Sequence, residues 1–208
     1  MGFLSKLFGS KKYGGYIKEL ELVDFWDSLN KKEREKVREY SKERMGGFDK
    51  EIDDPDFDIN TSDSASSFLN SKANSAISDK EYKLAEKLLL ESLKRNNEDD
   101  EPVTLHFTYN NLIKLFYKLR DQKDYLEKCI TVCKEDISLY ENKLKDHSFF
   151  QDKNTKIPSF KRLAIIYKKQ KEYKKAIEVC KKAIKYNLRD GTNTGFQGRL
   201  ERLKKKIN

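Results

Sequence analysis

Two cysteines four residues apart are the residues of this chain best suited to chemistry. Cys129 and Cys133 share one face of a predicted helix, and the two histidines of the chain, His106 and His147, flank them. Thiolate and imidazole are ligands that zinc prefers. Cys133, however, recurs as Cys180 at the same position of a later apolar segment, and free cysteine behaves as a small hydrophobic residue. We therefore predict that these cysteines pack in a core and that the chain holds no metal.

An acidic segment at positions 49–63 alternates its aspartates in the manner of a calcium-binding loop. The aspartates at positions 54–58 have the right spacing, but such a loop needs glycine at its sixth position and glutamate at its twelfth. Those two positions hold Ile59 and Ala65. Because the segment has seven acidic residues and a single lysine, we predict a solvated acidic linker rather than a calcium site.

The sequence contains no pattern that is typical of an enzyme. It has no GxSxG turn that could expose a nucleophile, and neither GxxxxGK[ST] nor GxGxxG to hold a phosphate. The glycines at 191, 195 and 198 are too widely spaced for that role. We therefore predict no catalytic residues, no cofactor and no enzymatic activity.

Charge is distributed unevenly along the chain. The 208 residues are 38% charged and carry a net charge of +9, and positions 156–208 hold 17 Lys and Arg against four Asp and Glu. A basic end of this kind could bind an acidic partner, or nucleic-acid phosphates through counterion release. Since no aromatic stacking platform or nucleic-acid motif accompanies it, nucleic-acid binding is only an alternative function. A structural subunit of a larger complex is another.

Cysteine content and hydropathy predict a cytoplasmic protein. The three cysteines are an odd number without a CxxC pair, and no secretory signal or membrane-length apolar run is present, which favours a reducing compartment. Residues 3–8 form a short amphipathic turn. We expect it to dock on a protein rather than on a membrane, because it is too short to hold a membrane alone.

Helical periodicity dominates the remaining sequence. Asn30 and Glu33 resemble a capping box, which predicts a helix that starts there and ends at Gly46–Gly47. From about Ser66 onward, apolar residues recur at intervals of three and four in five segments, which are 82–94, 108–119, 126–137, 160–169 and 173–184. Pro102 and Pro158 mark helix starts. A short closing helix is predicted with Leu200, Leu203 and Ile207 facing inward.

These segments are copies of one unit. Corresponding residues Ala85, Cys129 and Ala176 are separated by 44 and 47 positions. The third copy is the clearest, with the pattern F-x-x-L-A-x-x-Y from Phe160, then Tyr173, then A-x-x-x-C-x-x-A from Ala176. Regularly spaced small residues allow two helices to approach closely.

This pattern resembles the tetratricopeptide repeat, whose units span about 34 residues, and the whole chain is similar to short bacterial proteins of that class. The resemblance implies an all-α fold, in which about three helical hairpins stack into a solenoid that ends in a capping helix. We therefore predict a small helical N-terminal region at 1–47, an acidic linker at 48–65 and the solenoid at 66–208.

The resemblance also implies a function. Stacked repeats of this family bind peptides on a concave face formed by the first helix of each pair, and the chain is accordingly expected to be a non-catalytic adaptor for a protein or peptide partner. The matching groove positions are Asn70, Asn74, Asn110, Asn111, Lys114, Tyr117, Lys161, Arg162, Ile165 and Lys168.

Some members of the family hold a peptide's C-terminal carboxylate with a clamp of lysine, asparagine and arginine. Asn74, Asn111 and Arg162 fall on matching positions, whereas Asn70 and Pro158 replace the two lysines. An acidic or carboxylate-ended peptide is therefore the expected ligand, held by an incomplete clamp.

Overall fold

The computed structural model describes residues 12–42, 50–96, 101–151 and 156–207, and its described residues contain helices but no strands. The chain divides into two compact units, Met1–Asn96 and Asn97–Asn208. These bounds differ from the predicted division into 1–47, 48–65 and 66–208, which stays a prediction. The amphipathic turn at 3–8 and the helix end at Gly46–Gly47 lie outside the described residues.

Helices account for most of both units. In the first unit they are α1 (Gly15–Glu19), α2 (Val23–Ser28), α3 (Lys31–Lys42), α4 (Ala65–Ser78) and α5 (Tyr82–Arg95). In the second unit they are α6 (Pro102–Lys118), α7 (Tyr125–Leu139), α8 (Pro158–Lys169), α9 (Tyr173–Lys185) and α10 (Gly195–Lys204). None of the helices in the described ranges combines the length and the apolar character needed to cross a bilayer.

The predicted capping box opens α3. The backbone N–H of Glu33 donates to Asn30 Oδ1, and the backbone N–H of Asn30 donates to Glu33 Oε2, both at 3.0 Å. The reciprocal pair satisfies two of the N–H groups that a helix start leaves without a partner. The sequence prediction of this helix start is confirmed.

Part of the acidic segment packs against the N-terminal helices, so the prediction that it is a solvated linker is wrong there. Ile52 and Phe57 are buried, and so is Asp53, which is only 7% exposed. Asp53 accepts hydrogen bonds from Trp26 Nε1 at 3.0 Å and from Arg38 at 2.6 and 2.8 Å. Because Arg38 neutralises the carboxylate, the segment can bury an aspartate between two apolar residues.

Helices α4 and α5 form the first predicted hairpin. Ala73 and Ala76 of α4 and Ala85 of α5 are completely buried, and Ser66 and Ser92 approach to 3.0 Å between their hydroxyl oxygens. Side chains this small let the two helices pack closely.

Helices α8 and α9 form the third predicted hairpin, and small buried side chains again lie where the two helices pack together. Ala176, Cys180 and Ala183 of α9 have no exposed surface, and Ala164 of α8 has almost none. Cys129 and Cys133 of α7 are likewise fully buried. The prediction that the cysteines are core residues is confirmed.

The turns of the first and third hairpins share one geometry without glycine. Lys80 and Lys171 both adopt a left-handed backbone conformation, with φ of 65° and 62°. In each turn the next residue, Glu81 or Glu172, donates its backbone N–H to a carbonyl five residues earlier, at 2.9 and 2.8 Å. This bond is typical of a Schellman helix end. The α6–α7 connection at 119–124 is longer.

An insertion between α7 and α8 accounts for the long step between the second and third copies. The chain continues from α7 into a π-helical turn (Tyr140–Leu144) and then a short 3-10 turn (Ser148–Phe150). The Tyr140 ring makes edge contacts with Phe150 at 6.2 Å and with Phe160 at 6.1 Å between centroids. These aromatic contacts attach the insertion to the start of α8.

The closing helix α10 packs against α9. Its Leu200 and Leu203 are buried as predicted, together with Phe196. The prediction for Ile207 is wrong, because this side chain is 44% exposed. The helix ends at Lys204, so Ile207 lies beyond the helical repeat that turns the two leucines inward.

Candidate peptide-binding face of helices α6 and α8

Two neighbouring helices, α6 and α8, position the candidate site in the second unit. Each begins with a proline in its first turn, where the missing N–H costs nothing and the fixed φ favours the helix. Leu112 and Phe116 of α6 and Leu163 and Tyr167 of α8 are buried. The remaining face of each helix therefore carries the polar groove positions. We call the surface formed by Lys114, Tyr117, Lys161, Arg162 and Lys168 the α6–α8 face.

Three cationic side chains lie around the ring of Tyr117 at one end of this face. The Arg162 guanidinium carbon lies 3.7 Å from the centroid of the Tyr117 ring, that of Arg120 lies at 4.5 Å, and Lys169 Nζ lies at 5.7 Å. Arg120 also donates a hydrogen bond of 2.7 Å to the backbone carbonyl of Tyr117. The electron-rich face of an aromatic ring attracts cations, so Tyr117 holds a cluster of positive charge.

These positive charges also change the pKa of the Tyr117 hydroxyl. Burial raises the pKa of the Tyr117 hydroxyl, but a hydrogen bond from Lys169 and the charges of Lys169, Arg162 and Arg120 outweigh that effect and lower the pKa. Positive potential therefore dominates at this hydroxyl. The same potential would favour any anion that approaches the cluster.

The predicted groove residues occupy different environments. Lys114 and Lys168 are exposed, and Asn111, Lys161, Arg162 and Ile165 are half-buried. Arg162 is in direct contact with the ring of Tyr117, which lies on the neighbouring helix. Asn70 and Asn74 are half-buried on α4 in the first unit.

Asn110 is turned into the protein rather than toward a ligand. Its amide Nδ2 lies 2.9 Å from His106 Nε2, and its Oδ1 is buried. His106 in turn lies with its Nδ1 2.6 Å from Asp136 Oδ1 of α7. This polar network joins α6 to α7 and gives Asn110 a packing role, where the repeat pattern predicted a groove position.

The sequence contains one indication of this network, which is the position of Asp136 on the apolar stripe of α7. Asp136 follows Cys133 by three positions and precedes the apolar Ile137, so it stands on the buried stripe of α7. A carboxylate at such a position needs a partner. His106 is that partner, instead of being a ligand beside the cysteines.

The thiols have environments that suit a core. Cys129 lies 3.7 Å from the backbone oxygen of Ile113, and burial raises the pKa of the Cys180 thiol to about 11. His147 Nδ1 accepts a hydrogen bond from the backbone N–H of Phe149 at 3.2 Å. Among the described residues, no group of three or more His, Cys, Asp or Glu side chains is arranged to hold a metal ion.

Comparison with known families supports the repeat assignment. The family model described as the tetratricopeptide repeat matches residues 157–189, a range that contains α8, its turn and α9. The chain contains a tetratricopeptide repeat. Neither the curated proteins nor the solved structures contain a match to the chain.

The matched repeat includes three of the five residues that define the α6–α8 face. Arg162, Lys161 and Lys168 lie on the first helix of the repeat, and α6 is its neighbour in the second unit. A tetratricopeptide repeat indicates a role in protein–protein interaction, and repeats of this family are typically non-catalytic scaffolds.

Proposed function

We propose that the protein is a non-catalytic adaptor that binds an acidic or carboxylate-ended peptide on the α6–α8 face. The observation that carries this proposal is the cluster of Arg120, Arg162 and Lys169 around the ring of Tyr117. All three cations lie within 5.7 Å of the centroid of this ring, so positive charge is concentrated around Tyr117. That charge would attract a carboxylate bound beside the ring.

Arg162 is the best placed of the three to bind the ligand. Its guanidinium stacks at 3.7 Å from the Tyr117 centroid, which restricts the orientation of a long side chain before any ligand arrives. A planar guanidinium can donate two parallel hydrogen bonds to a carboxylate. Pre-orientation of this kind lowers the entropic cost of binding.

The remaining polar positions extend the basic surface along both helices. Lys114 is exposed on α6 and Lys168 is exposed on α8, so an acidic peptide that crosses the two helices would meet positive charge along its length. Asn111 would contribute an amide. The participation of Asn70 and Asn74 follows from the family pattern alone and stays a prediction.

The binding test uses peptides displayed with free C termini, selected on the full-length chain and then measured as synthetic peptides by titration calorimetry. We expect acidic sequences, and we expect C-terminal amidation to weaken those that bind through their terminus. Arg162→Gln should weaken binding by roughly tenfold to 100-fold, since a hydrogen bond to a charged group contributes about 1.5–3 kcal/mol. The variant Asn111→Ala/Lys114→Glu should also bind more weakly.

Lys204→Gln is the matched control, because it removes one positive charge from the exposed end of α10. Equal binding by Arg162→Gln and the control would refute the proposed site. Binding of random duplex DNA with a steep dependence on salt, in the absence of any selected peptide, would instead favour nucleic-acid recognition through the basic end.

We place this function in the cytoplasm. Cys129, Cys133 and Cys180 are buried free thiols, and free thiols are typical of proteins in a reducing compartment.

A further inference from the structure

A second groove of the second unit lies between α7 and α9, with α8 as its floor. It encloses about 490 Å³, which is within the roughly 300–1,000 Å³ of ligand pockets. Ile137 of α7, Leu163 and Tyr167 of α8 and Val179 of α9 are largely buried, and the parts of their side chains that stay exposed supply its apolar lining. We call this surface the α7–α9 groove. It shares no residue with the α6–α8 face.

The rim of the α7–α9 groove is basic. Four lysines and two glutamates line it, namely Lys134, Lys174, Lys175, Lys182, Glu141 and Glu178. Both acids are already engaged by cations of the protein. Glu141 pairs with Lys182 at 3.1 Å, and Glu178 pairs with Lys181 at 2.8 Å. Lys175 is likewise paired with Glu172, so the net positive charge at the edges of the apolar floor comes from Lys134 and Lys174.

Lys134 and Lys174 carry this charge on two sides of the groove. Both side chains are exposed, Lys134 on α7 and Lys174 at the start of α9. Carboxylates of a bound segment could reach either lysine while apolar side chains enter the space between the helices. An amphipathic helix presents both kinds of group on adjacent faces.

We propose that the α7–α9 groove docks an acidic amphipathic helix of a partner protein. The apolar stripe of that helix lies on Ile137, Leu163 and Val179, and its flanking carboxylates face Lys134 and Lys174. This is recognition of a helix in a groove, in which apolar anchors supply affinity and flanking charges set orientation and partner choice. The apolar floor favours such a helix over a nucleic-acid backbone, which offers phosphate but no apolar stripe.

The test measures fluorescence anisotropy of three labelled 16-residue peptides with the full-length protein at 150 mM NaCl. One peptide has a leucine stripe with glutamate flanks, the second has the same stripe with lysine flanks, and the third has serine in place of the leucines with glutamate flanks. We expect only the first peptide to bind. A labelled single-stranded DNA is titrated in parallel.

Two charge-matched variants locate the binding. Lys134→Glu/Lys174→Glu reverses two rim charges, and Lys204→Glu/Lys205→Glu makes the same change in net charge at the exposed end of α10. We expect the rim variant to weaken binding at least about tenfold and the control to change it less than about twofold, because screening limits the influence of distant charges. Arg162→Gln should leave this binding unchanged, which separates the groove from the α6–α8 face.

Three results would overturn the proposal. The first is the absence of binding by the leucine–glutamate peptide, and the second is equal binding by the serine–glutamate peptide, which would show a general attraction of charge. The third is binding of the DNA that depends on Lys134 and Lys174, which would assign the groove to a nucleic acid.

Discussion

The contact of Asp53 with Trp26 and Arg38 provides a sharp test of how the first unit is held together. Asp53 is 7% exposed, and its carboxylate accepts hydrogen bonds from Trp26 Nε1 at 3.0 Å and from Arg38 at 2.6 and 2.8 Å. The substitution Asp53→Ala removes the acceptor of both donors. We expect it to lower the free energy of unfolding of this unit.

The magnitude follows from what each donor loses. The buried indole N–H of Trp26 is left without an acceptor, which costs about 1–3 kcal/mol. Breaking a fully buried ion pair costs about 3–5 kcal/mol, but Arg38 is 24% exposed and keeps Glu51 at 3.0 Å. The loss at Arg38 is therefore well below that range, and we expect a total of about 2–4 kcal/mol.

The assay is urea denaturation followed by tryptophan fluorescence. Trp26 is the single tryptophan of the chain, so the signal reports on the unit that contains Asp53. The control is Asp56→Asn, which removes a charge from an exposed aspartate three residues away and should change stability by less than about 0.5 kcal/mol. A loss for Asp53→Ala as small as that of the control would refute the reasoning.

The pH dependence gives a second check on the same contact. Burial raises the pKa of the Asp53 carboxyl, but the hydrogen bonds and charge of Arg38 outweigh it, so the pKa is lower in the folded protein. A depressed pKa contributes stability above the unfolded value of about 3.9, and that contribution is lost as pH falls through the folded pKa. The stability advantage of the wild type over Asp53→Asn should therefore shrink below about pH 4.

Two further substitutions test tight packing and the buried polar network. Gly14→Ala should destabilise the first unit by about 1–3 kcal/mol in the same fluorescence assay, because the new Cβ would overlap the backbone oxygen of Asp54. An unchanged midpoint would contradict this. Asp136→Ala removes the acceptor of His106 at 2.6 Å and should cost about 1–3 kcal/mol by urea denaturation followed by circular dichroism. If the double variant His106→Leu/Asp136→Leu is no more stable than Asp136→Ala, the unpaired histidine is not the cause.

Sequence periodicity predicted the helical hairpins because the information is local. Small residues such as Ala176 and Cys180 recur where one helix must approach another, and Pro158 starts α8 where the pattern restarts. Both effects depend on neighbours within a few residues along the chain. The positions of the candidate groove residues on α6 and α8 followed from the same repeat.

Environments that depend on distant residues were not predictable in this way. His106 and Asp136 are thirty positions apart. The residues beside each one in the sequence do not indicate that the two side chains pair. The turns at Lys80 and Lys171 likewise lack the glycine that usually announces a left-handed helix end.

The sequence by itself determined the helical segments that follow Tyr82, most of their apolar positions and the location of the basic end, because each follows from residue type and a local period. Only the tertiary structure decided that Asp53 is buried, that three cations surround Tyr117 and that Lys134 and Lys174 border an apolar groove. Each of these depends on which helices become neighbours, and a side chain's burial and charge partners are set by those neighbours rather than by the residues beside it in the chain.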